Sequence, residues 1–153
     1  MFIFNPNNEN MRVYLNDIAH EAKDNETILE FVRRVEEVNP IPTMCQDDRL
    51  ENFGSCRVCS VEVARTKGGE SKVMASCHTP VFENAHIYHQ TDRIKRLRKN
   101  IVELVLTDYP SDKVFPEQGK KPTEFQKTIA EIGIPNIRYP KGKNSLSVKK
   151  DNS

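Results

Sequence analysis

The sequence predicts an α+β fold in which a β-hairpin, a helix and later strands join in one sheet. Residues 11–15 alternate apolar and polar side chains, and a turn signal at Asn16 and Asp17 separates them from a second strand at residues 18–22. A helical pattern of apolar residues follows at residues 27–38. Further strands are indicated on both sides of the glycine pair at positions 68 and 69. A ββα unit with returning strands is a β-grasp.

The first predicted helix has a clear apolar side and clear ends. Asp24 or Asn25 is expected to cap its N-terminus, and the Asn39-Pro40 step is expected to end it. Its apolar side comprises Ile28, Leu29, Phe31, Val32 and Val35. These residues predict a helix that packs on the sheet through one face.

A second helix is predicted at residues 91–107, after a short strand at residues 85–88. Its expected apolar stripe consists of Ile94, Leu97, Ile101, Leu104 and Val105. Its opposite face is basic and consists of Arg93, Lys95, Arg96, Arg98 and Lys99. This basic face is interpreted either as a solvated helix surface or as a docking site for an acidic partner. His86 and His89 are expected to be surface or hydrogen-bonding residues.

Composition excludes several classes of protein. The chain has 153 residues, 37% hydrophobic residues and a mean hydropathy of −0.66, and no apolar run approaches the roughly 20 residues of a transmembrane helix. A net charge of +1 argues against nonspecific nucleic-acid binding. The N-terminus lacks the basic and apolar regions of a signal peptide, so the expected location is the cytoplasm, either free or peripheral to a membrane complex.

Four cysteines carry the chemistry that the sequence indicates. Cys45, Cys56, Cys59 and Cys77 follow the spacing C-x10-C-x2-C-x17-C, and they are the only cysteines of the chain. Disulfides are disfavoured because a cytosolic chain keeps its thiols reduced. Structural zinc remains an alternative, although its sites usually contain two close cysteine pairs and here there is one. A long loop with three cysteines and a distant fourth favours a [2Fe–2S] cluster.

The residues beside the cysteines fit a tight metal-binding loop. Gly54 lies two residues before Cys56, where the backbone must turn and approach closely. Small residues at Ser55, Ser60 and Ser76 leave room for backbone N–H groups to point at sulfur. Hydrogen bonds of that kind influence the potential of a cluster.

The cysteine segments resemble a known family. The segments IPTMC (41–45), FGSCRVCSVEV (53–63) and ASCHTPV (75–81) are similar to the N-terminal ferredoxin-like module of the large iron–sulfur subunit of NADH:quinone oxidoreductase. The same module occurs in NAD-dependent formate dehydrogenases and in the diaphorase part of bidirectional hydrogenases. The resemblance implies a [2Fe–2S] ferredoxin-like β-grasp fold, with Cys45, Cys56, Cys59 and Cys77 as the iron ligands. The segment before Cys77 is longer than is usual, and the extra length is expected in the turn at positions 68 and 69.

A second cluster of that family is expected to be missing. The family binds it through one histidine and three cysteines after the second helix. Here the histidine position is Tyr109, and the cysteine positions fall at Lys113, Pro116 and near Pro122. No [4Fe–4S] cluster is therefore expected. The apolar residues of the following segment, Phe125, Ile129, Ile132 and Ile134, need burial on this chain or on a partner.

These features together predict an electron-transfer module without a catalytic site. Residues 1–10 are expected to be a flexible tail, residues 11–90 the [2Fe–2S] domain, and residues 91–153 a helical C-terminal appendage that retains the shape of the second-cluster domain and serves docking. By resemblance, the partners are protein subunits of an NAD(H)/flavin-linked oxidoreductase complex. The expected function is one-electron relay, and the alternative is a scaffold with structural zinc. Deletion of residues 116 onward is expected to leave the cluster intact.

Overall fold

The structure, a computed structural model, describes residues 11–47, 49–110, 113–133 and 137–140. These ranges contain five strands and three helices. In chain order they are β1 (Met11–Leu15), β2 (Ile18–Ala22), α1 (Ile28–Glu36), β3 (Ser60–Ala64), β4 (Ser71–Ala75), β5 (His86–Tyr88), α2 (Asp92–Asp108) and α3 (Glu124–Ile132). The predicted tail at residues 1–10 lies outside the described residues.

The five strands form one mixed sheet in the order β2-β1-β5-β3-β4. β1 and β5 are parallel, and the other neighbouring strands are antiparallel. Asn16 and Asp17 join β1 to β2 with φ angles of 49° and 68°, as the mirror-image turn of a two-residue hairpin requires. The sheet confirms the predicted α+β, β-grasp class.

Helix α1 begins within one residue of the predicted start, but with a different cap. Its N-cap is Thr27, not Asp24 or Asn25: the Thr27 side chain accepts a hydrogen bond from the backbone N–H of Glu30, and the Glu30 carboxylate accepts one from the backbone N–H of Thr27. This reciprocal pair is a capping box, which satisfies two otherwise unpaired N–H groups. The helix ends at Glu36, before the predicted position 38, because Glu37 adopts a left-handed conformation.

The main core lies between α1 and the sheet. Ile28, Phe31 and Val32 of α1 are fully buried, and they belong to one cluster with Val13 and Ile87 of the sheet. Burial of each such side chain stabilises the fold by roughly 1.5–3 kcal/mol. The predicted apolar side of α1 is confirmed, and Cys59 and Cys77 join the same cluster at its edge.

Helix α2 buries a different face from the one predicted. The predicted stripe is wrong in part, because Leu104 is 52% exposed while Leu97, Ile101 and Val105 are only half-buried. The residues that are buried are Ile94, Arg98, Val102, Glu103 and Leu106. Arg98 is buried, although both interpretations of the basic face expect it to be exposed. The reason is that α2 packs on the cysteine loop, where Val58 contacts the face that carries Val102 and Leu106.

Helix α3 completes a second, smaller apolar cluster. Ile129 is buried against Val58, Val102 and Leu106, and Phe125 packs at the edge of that cluster. The hydroxyl of Thr128 donates a hydrogen bond to the backbone oxygen of Thr43. These contacts give the predicted apolar residues of α3 a place on this chain, except for Ile134, which lies outside the described residues. In the part of the chain that the structure describes, no helix is long and apolar enough to span a membrane.

Candidate metal centre

The β3–β4 hairpin brings Cys59 and Cys77 together. Cys59 precedes β3, Cys77 follows β4, and Ser60 pairs with Ala75 at this end of the hairpin. Both the backbone N–H and the hydroxyl of Ser76 donate to the Cys59 backbone oxygen, at 3.3 Å and 2.7 Å. The Cys59 thiol also acts on the Cys77 thiol, because it contributes to raising the pKa of Cys77. The turn with the two glycines lies at the opposite end of the hairpin, away from this pair.

The loop between α1 and β3 brings Cys45 and Cys56 together. The backbone N–H of Cys56 donates to the Sγ atom of Cys45 at 3.5 Å. Each of these two thiols also influences the pKa of the other. Two loop residues take left-handed conformations to allow this approach: Gly54 has a φ of 66° and Arg57 a φ of 63°.

Gly54 occupies the place that the sequence analysis gave it. A Cβ atom built there would lie 3.2 Å from the Cβ atom of His78 and 3.5 Å from that of Ala75. The loop therefore passes close to the segment that carries Cys77. His78 supports the same approach, since its Nδ1 atom lies 3.0 Å from the backbone oxygen of Asn52.

The four thiols influence one another. Burial raises the pKa of Cys77 to about 12, with further contributions from Cys59, Cys45 and Cys56. Burial also raises the pKa of Cys56, and the neighbouring Cys45 adds to that effect. Burial acts on Cys45 in the same sense, but hydrogen bonds from Cys56 and Ser55 outweigh it and hold the pKa of Cys45 below its ordinary value. The Cys77 thiol therefore lies near enough to the other three thiols for their charges to act on it.

The four thiols lie as two pairs, Cys45 with Cys56 and Cys59 with Cys77. Among the described residues, no group of three Cys, His, Asp or Glu side chains lies close enough to hold one metal ion. In a [2Fe–2S] cluster each iron takes two protein ligands, so two thiol pairs fit its donor set.

One side of the site is exposed to solvent and the other side is buried. Cys59 and Cys77 are each 1% exposed, whereas Cys56 is half-buried and Cys45 is exposed. Leu50 and Phe53 stand out into solvent on the same loop. The inner side is closed by the cluster that Val58 forms with α2 and α3, and Met44 and Cys56 pack against that cluster.

Arg98 is a site residue that the sequence analysis missed. Its Nε atom donates to the backbone oxygen of Val58 at 3.1 Å, and its Nη2 atom donates to that of Ser60 at 2.9 Å. Burial lowers the pKa of Arg98 to about 10, and Cys59 acts in the opposite sense. Its burial is not evident from the sequence, because it is one of five cationic residues on the same helix. The one available signal was its spacing of four residues from both Ile94 and Val102, which are buried.

His86 and His89 are less exposed than a surface assignment implies. His86 is buried and stacks on the ring of Tyr14 at a centroid distance of 4.4 Å. His89 is buried, and its Nε2 atom lies 2.9 Å from Oε1 of Glu36. The hydrogen-bonding alternative is therefore confirmed for His89, and the surface alternative is wrong for both.

Tyr109, which the resemblance places at the histidine position of a second cluster, packs edge-on against Phe125 with ring centroids 4.8 Å apart. Val114, in the segment that follows, belongs to the same small apolar cluster. Aromatic packing therefore joins the end of α2 to α3.

Comparison with known proteins identifies the domain. Residues 8–92 match a family described as a 2Fe-2S iron-sulfur cluster binding domain. The chain is 33% identical over 109 residues to the NADH-ubiquinone oxidoreductase 75 kDa subunit of Reclinomonas americana, a match that covers 71% of this chain and 15% of that protein. It is 36% identical over 99 residues to the NADPH-Fe(3+) oxidoreductase subunit alpha of Geobacter sulfurreducens, covering 65% of this chain and 11% of that protein.

A solved structure shares the fold. An NAD+-reducing [NiFe]-hydrogenase chain matches with a TM-score of 0.65 and 18% identity, over 85% of this chain and 52% of that chain. The chain thus spans a small part of the length of its curated relatives. The family match covers more than half of the residues, and it includes all four cysteines. The chain belongs to the 2Fe-2S iron-sulfur cluster binding domain family.

Proposed function

We propose that this chain binds one [2Fe–2S] cluster through Cys45, Cys56, Cys59 and Cys77 and relays single electrons. The observation that carries the proposal is the pairing of the four thiols, two on the exposed loop and two at the buried end of the β3–β4 hairpin. A bound cluster would supply a centre that accepts and returns one electron. The protein holds the ligands in place and keeps water from the inner pair.

Each part of the frame has a defined task in this proposal. The hydrogen bonds from Ser76 fix the Cys59 backbone, and Gly54 lets the loop reach the hairpin. The N–H group of Cys56 donates to Cys45 Sγ and stabilises negative charge on that sulfur. Because Cys45 is the exposed ligand, electrons exchange with a partner at this edge, beside Leu50 and Phe53.

The partners that fit are subunits of an NAD(P)H-linked oxidoreductase complex, and the location that fits is the cytoplasm. Support comes from the relatives, which are named as subunits of NADH and NADPH oxidoreductases. No second cluster is expected on this chain, because all four cysteines are assigned to the first. Co-purification of the tagged chain with an NAD(P)H-oxidising flavoprotein from its native cells would support this assignment. Elution of the loaded chain alone would contradict it.

Metal and sulfide analysis tests the central proposal. The freshly isolated chain is expected to contain two irons and two acid-labile sulfides, to absorb in the visible range and to accept one electron in a reductive titration. Cys59→Ser is expected to lose the cluster, while Leu50→Ala, an exposed change in the same loop, retains it. Stoichiometric zinc, four irons per chain, or full iron content in Cys59→Ser would overturn the proposal.

A further inference from the structure

Arg98 places a buried positive charge beside the cysteine site. Its side chain extends from α2 to the loop, and the residue is 6% exposed. Its two hydrogen bonds reach the backbone oxygens of Val58 and Ser60, the residues on either side of Cys59. The guanidinium group therefore spans the backbone at one of the two buried thiols.

Arg98 lacks the partner that a buried arginine usually has. Within the described part of the chain, its hydrogen bonds go to the two carbonyl oxygens, and no carboxylate forms an ion pair with it. Asp92 and Glu131 line the same groove as Arg98 without reaching it. A buried charge without a counter-charge is strongly unfavourable, and two neutral acceptors compensate it only in part.

The four thiols supply the missing negative charge once they bind metal. Metal binding requires deprotonated cysteines, and four thiolates leave a [2Fe–2S] centre with net negative charge. Reduction adds one further negative charge. A fixed cation in a poorly solvated position interacts with that charge more strongly than a cation in water does.

We propose that Arg98 is the internal counter-charge of the site, a positioning residue that stabilises the reduced state and raises the reduction potential. The inference rests on the proposed function, because it requires a cluster on the four cysteines. Arg98 also positions Cys59 through the two flanking carbonyl groups. The other cations of this helix that line the groove, Lys95, Arg96 and Lys99, are more exposed, so solvent and salt screen their charges.

Potentiometric titration of the loaded full chain, followed by visible absorbance, tests the proposal. Arg98→Gln is expected to lower the equilibrium constant for one-electron reduction at least tenfold, which is a potential about 59 mV more negative. Arg98→Lys keeps the charge and is expected to change that constant less than threefold. Arg96→Gln removes an exposed charge from the same helix and is also expected to change the equilibrium constant less than threefold.

A purely structural role for Arg98 gives a different pattern. In that case both Arg98 variants lower the melting temperature and neither shifts the potential, which overturns the inference. A wild-type chain without iron and sulfide would instead overturn the proposed function, so the two failures are distinguishable.

A second pair of variants keeps the test decisive if Arg98→Gln does not load. Lys95→Glu leaves Arg98 in place and adds a carboxylate three residues away in the same groove, where it is expected to pair with the guanidinium group and offset its charge. It is expected to lower the potential further than Lys72→Glu, which makes the same charge change at an exposed position of β4. Equal potentials in these two variants would overturn the inference.

Discussion

Glu62 on β3 accepts a hydrogen bond from the hydroxyl group of Thr91, the residue that caps the N-terminus of α2. The same carboxylate accepts hydrogen bonds from Ser71 of β4 at 2.8 Å and from Arg93 of α2 at 3.1 Å. These contacts hold the pKa of Glu62 below its ordinary value against the opposing effect of burial. One carboxylate thus joins two strands to the helix that carries Arg98.

Replacement of Glu62 is expected to loosen α2 from the sheet. Glu62→Gln removes the charge that three donors share, and it should lower the free energy of unfolding by roughly 1.5–3 kcal/mol, the range for hydrogen bonds to charged groups. Urea denaturation measures the change. Glu70→Gln, an exposed change in the neighbouring turn, is the control and should stay within about 0.5 kcal/mol. Equal stability of the two variants would contradict the role of Glu62.

A side chain at position 54 is expected to disturb the cysteine loop. Gly54→Ala places a Cβ atom in a left-handed conformation, which costs about 1–2 kcal/mol, and sets it against His78. Gly68→Ala is the matched control, since Gly68 has a φ of 70° and no atom within 4 Å of such a Cβ. Both variants should be less stable than the wild type, but only Gly54→Ala should lose the visible absorbance of the cluster faster than the wild type does. Equal bleaching rates would exclude a special role for the Gly54 contact.

The Glu26–Arg34 ion pair is expected to make stability depend on pH. Arg34 donates to both carboxylate oxygens of Glu26 at 2.7 Å. Burial raises the pKa of Glu26, but the contacts with Arg34 and Lys23 outweigh burial, so the pKa lies below its ordinary value. A carboxylate with a lowered folded-state pKa adds stability above its unfolded-state pKa of about 4.5, and this stability is lost as the pH falls through the folded-state value. Glu26→Gln should therefore cost about 1–2 kcal/mol near pH 7, between the values for exposed and buried pairs.

The measurement for Glu26 is denaturant unfolding of wild type and Glu26→Gln from pH 7 to pH 3. The difference between the two should stay constant above about pH 5.5 and shrink below pH 4.5. Glu124→Gln removes an exposed ion pair with Lys127 and serves as the control, with a small difference at every pH. A difference between wild type and Glu26→Gln that does not change with pH would rule out this linkage.

The C-terminal segment is expected to protect the site. Deletion of this segment is therefore expected to affect the cluster, whereas the sequence alone predicts that the cluster stays intact. Ile129 is buried against Val58, beside Met44 and Cys56. Ile129→Ala should lower the free energy of unfolding by about 2–4 kcal/mol and shorten the lifetime of the visible absorbance. Deletion of residues 116 onward should shorten it further. Phe115→Ala, a change at an exposed residue, is the control and should leave the lifetime of the visible absorbance unaltered. A deletion variant whose visible absorbance lasts as long as that of the wild type would contradict the protective role.

The elements of the sheet and α1 could be predicted from local pattern. The two-residue alternation of β1, the turn at Asn16 and Asp17, and the apolar side of α1 each depend on residues close in sequence. The cap of α1 could not, because several polar residues near position 25 can cap a helix. Only the path of the backbone identifies Thr27 as the residue that does so.

The cysteine spacing by itself determined what chemistry this chain can offer, because four thiols in that order suit few metal sites. Tertiary structure decided how they pair, which sulfur meets solvent, and that Arg98 lies beside them. An arginine in a basic helix has the pattern of a solvent-facing residue until a loop from elsewhere packs over it. Burial depends on contacts between segments far apart in sequence, here α2 and the loop before β3. Periodicity along one helix does not contain that information.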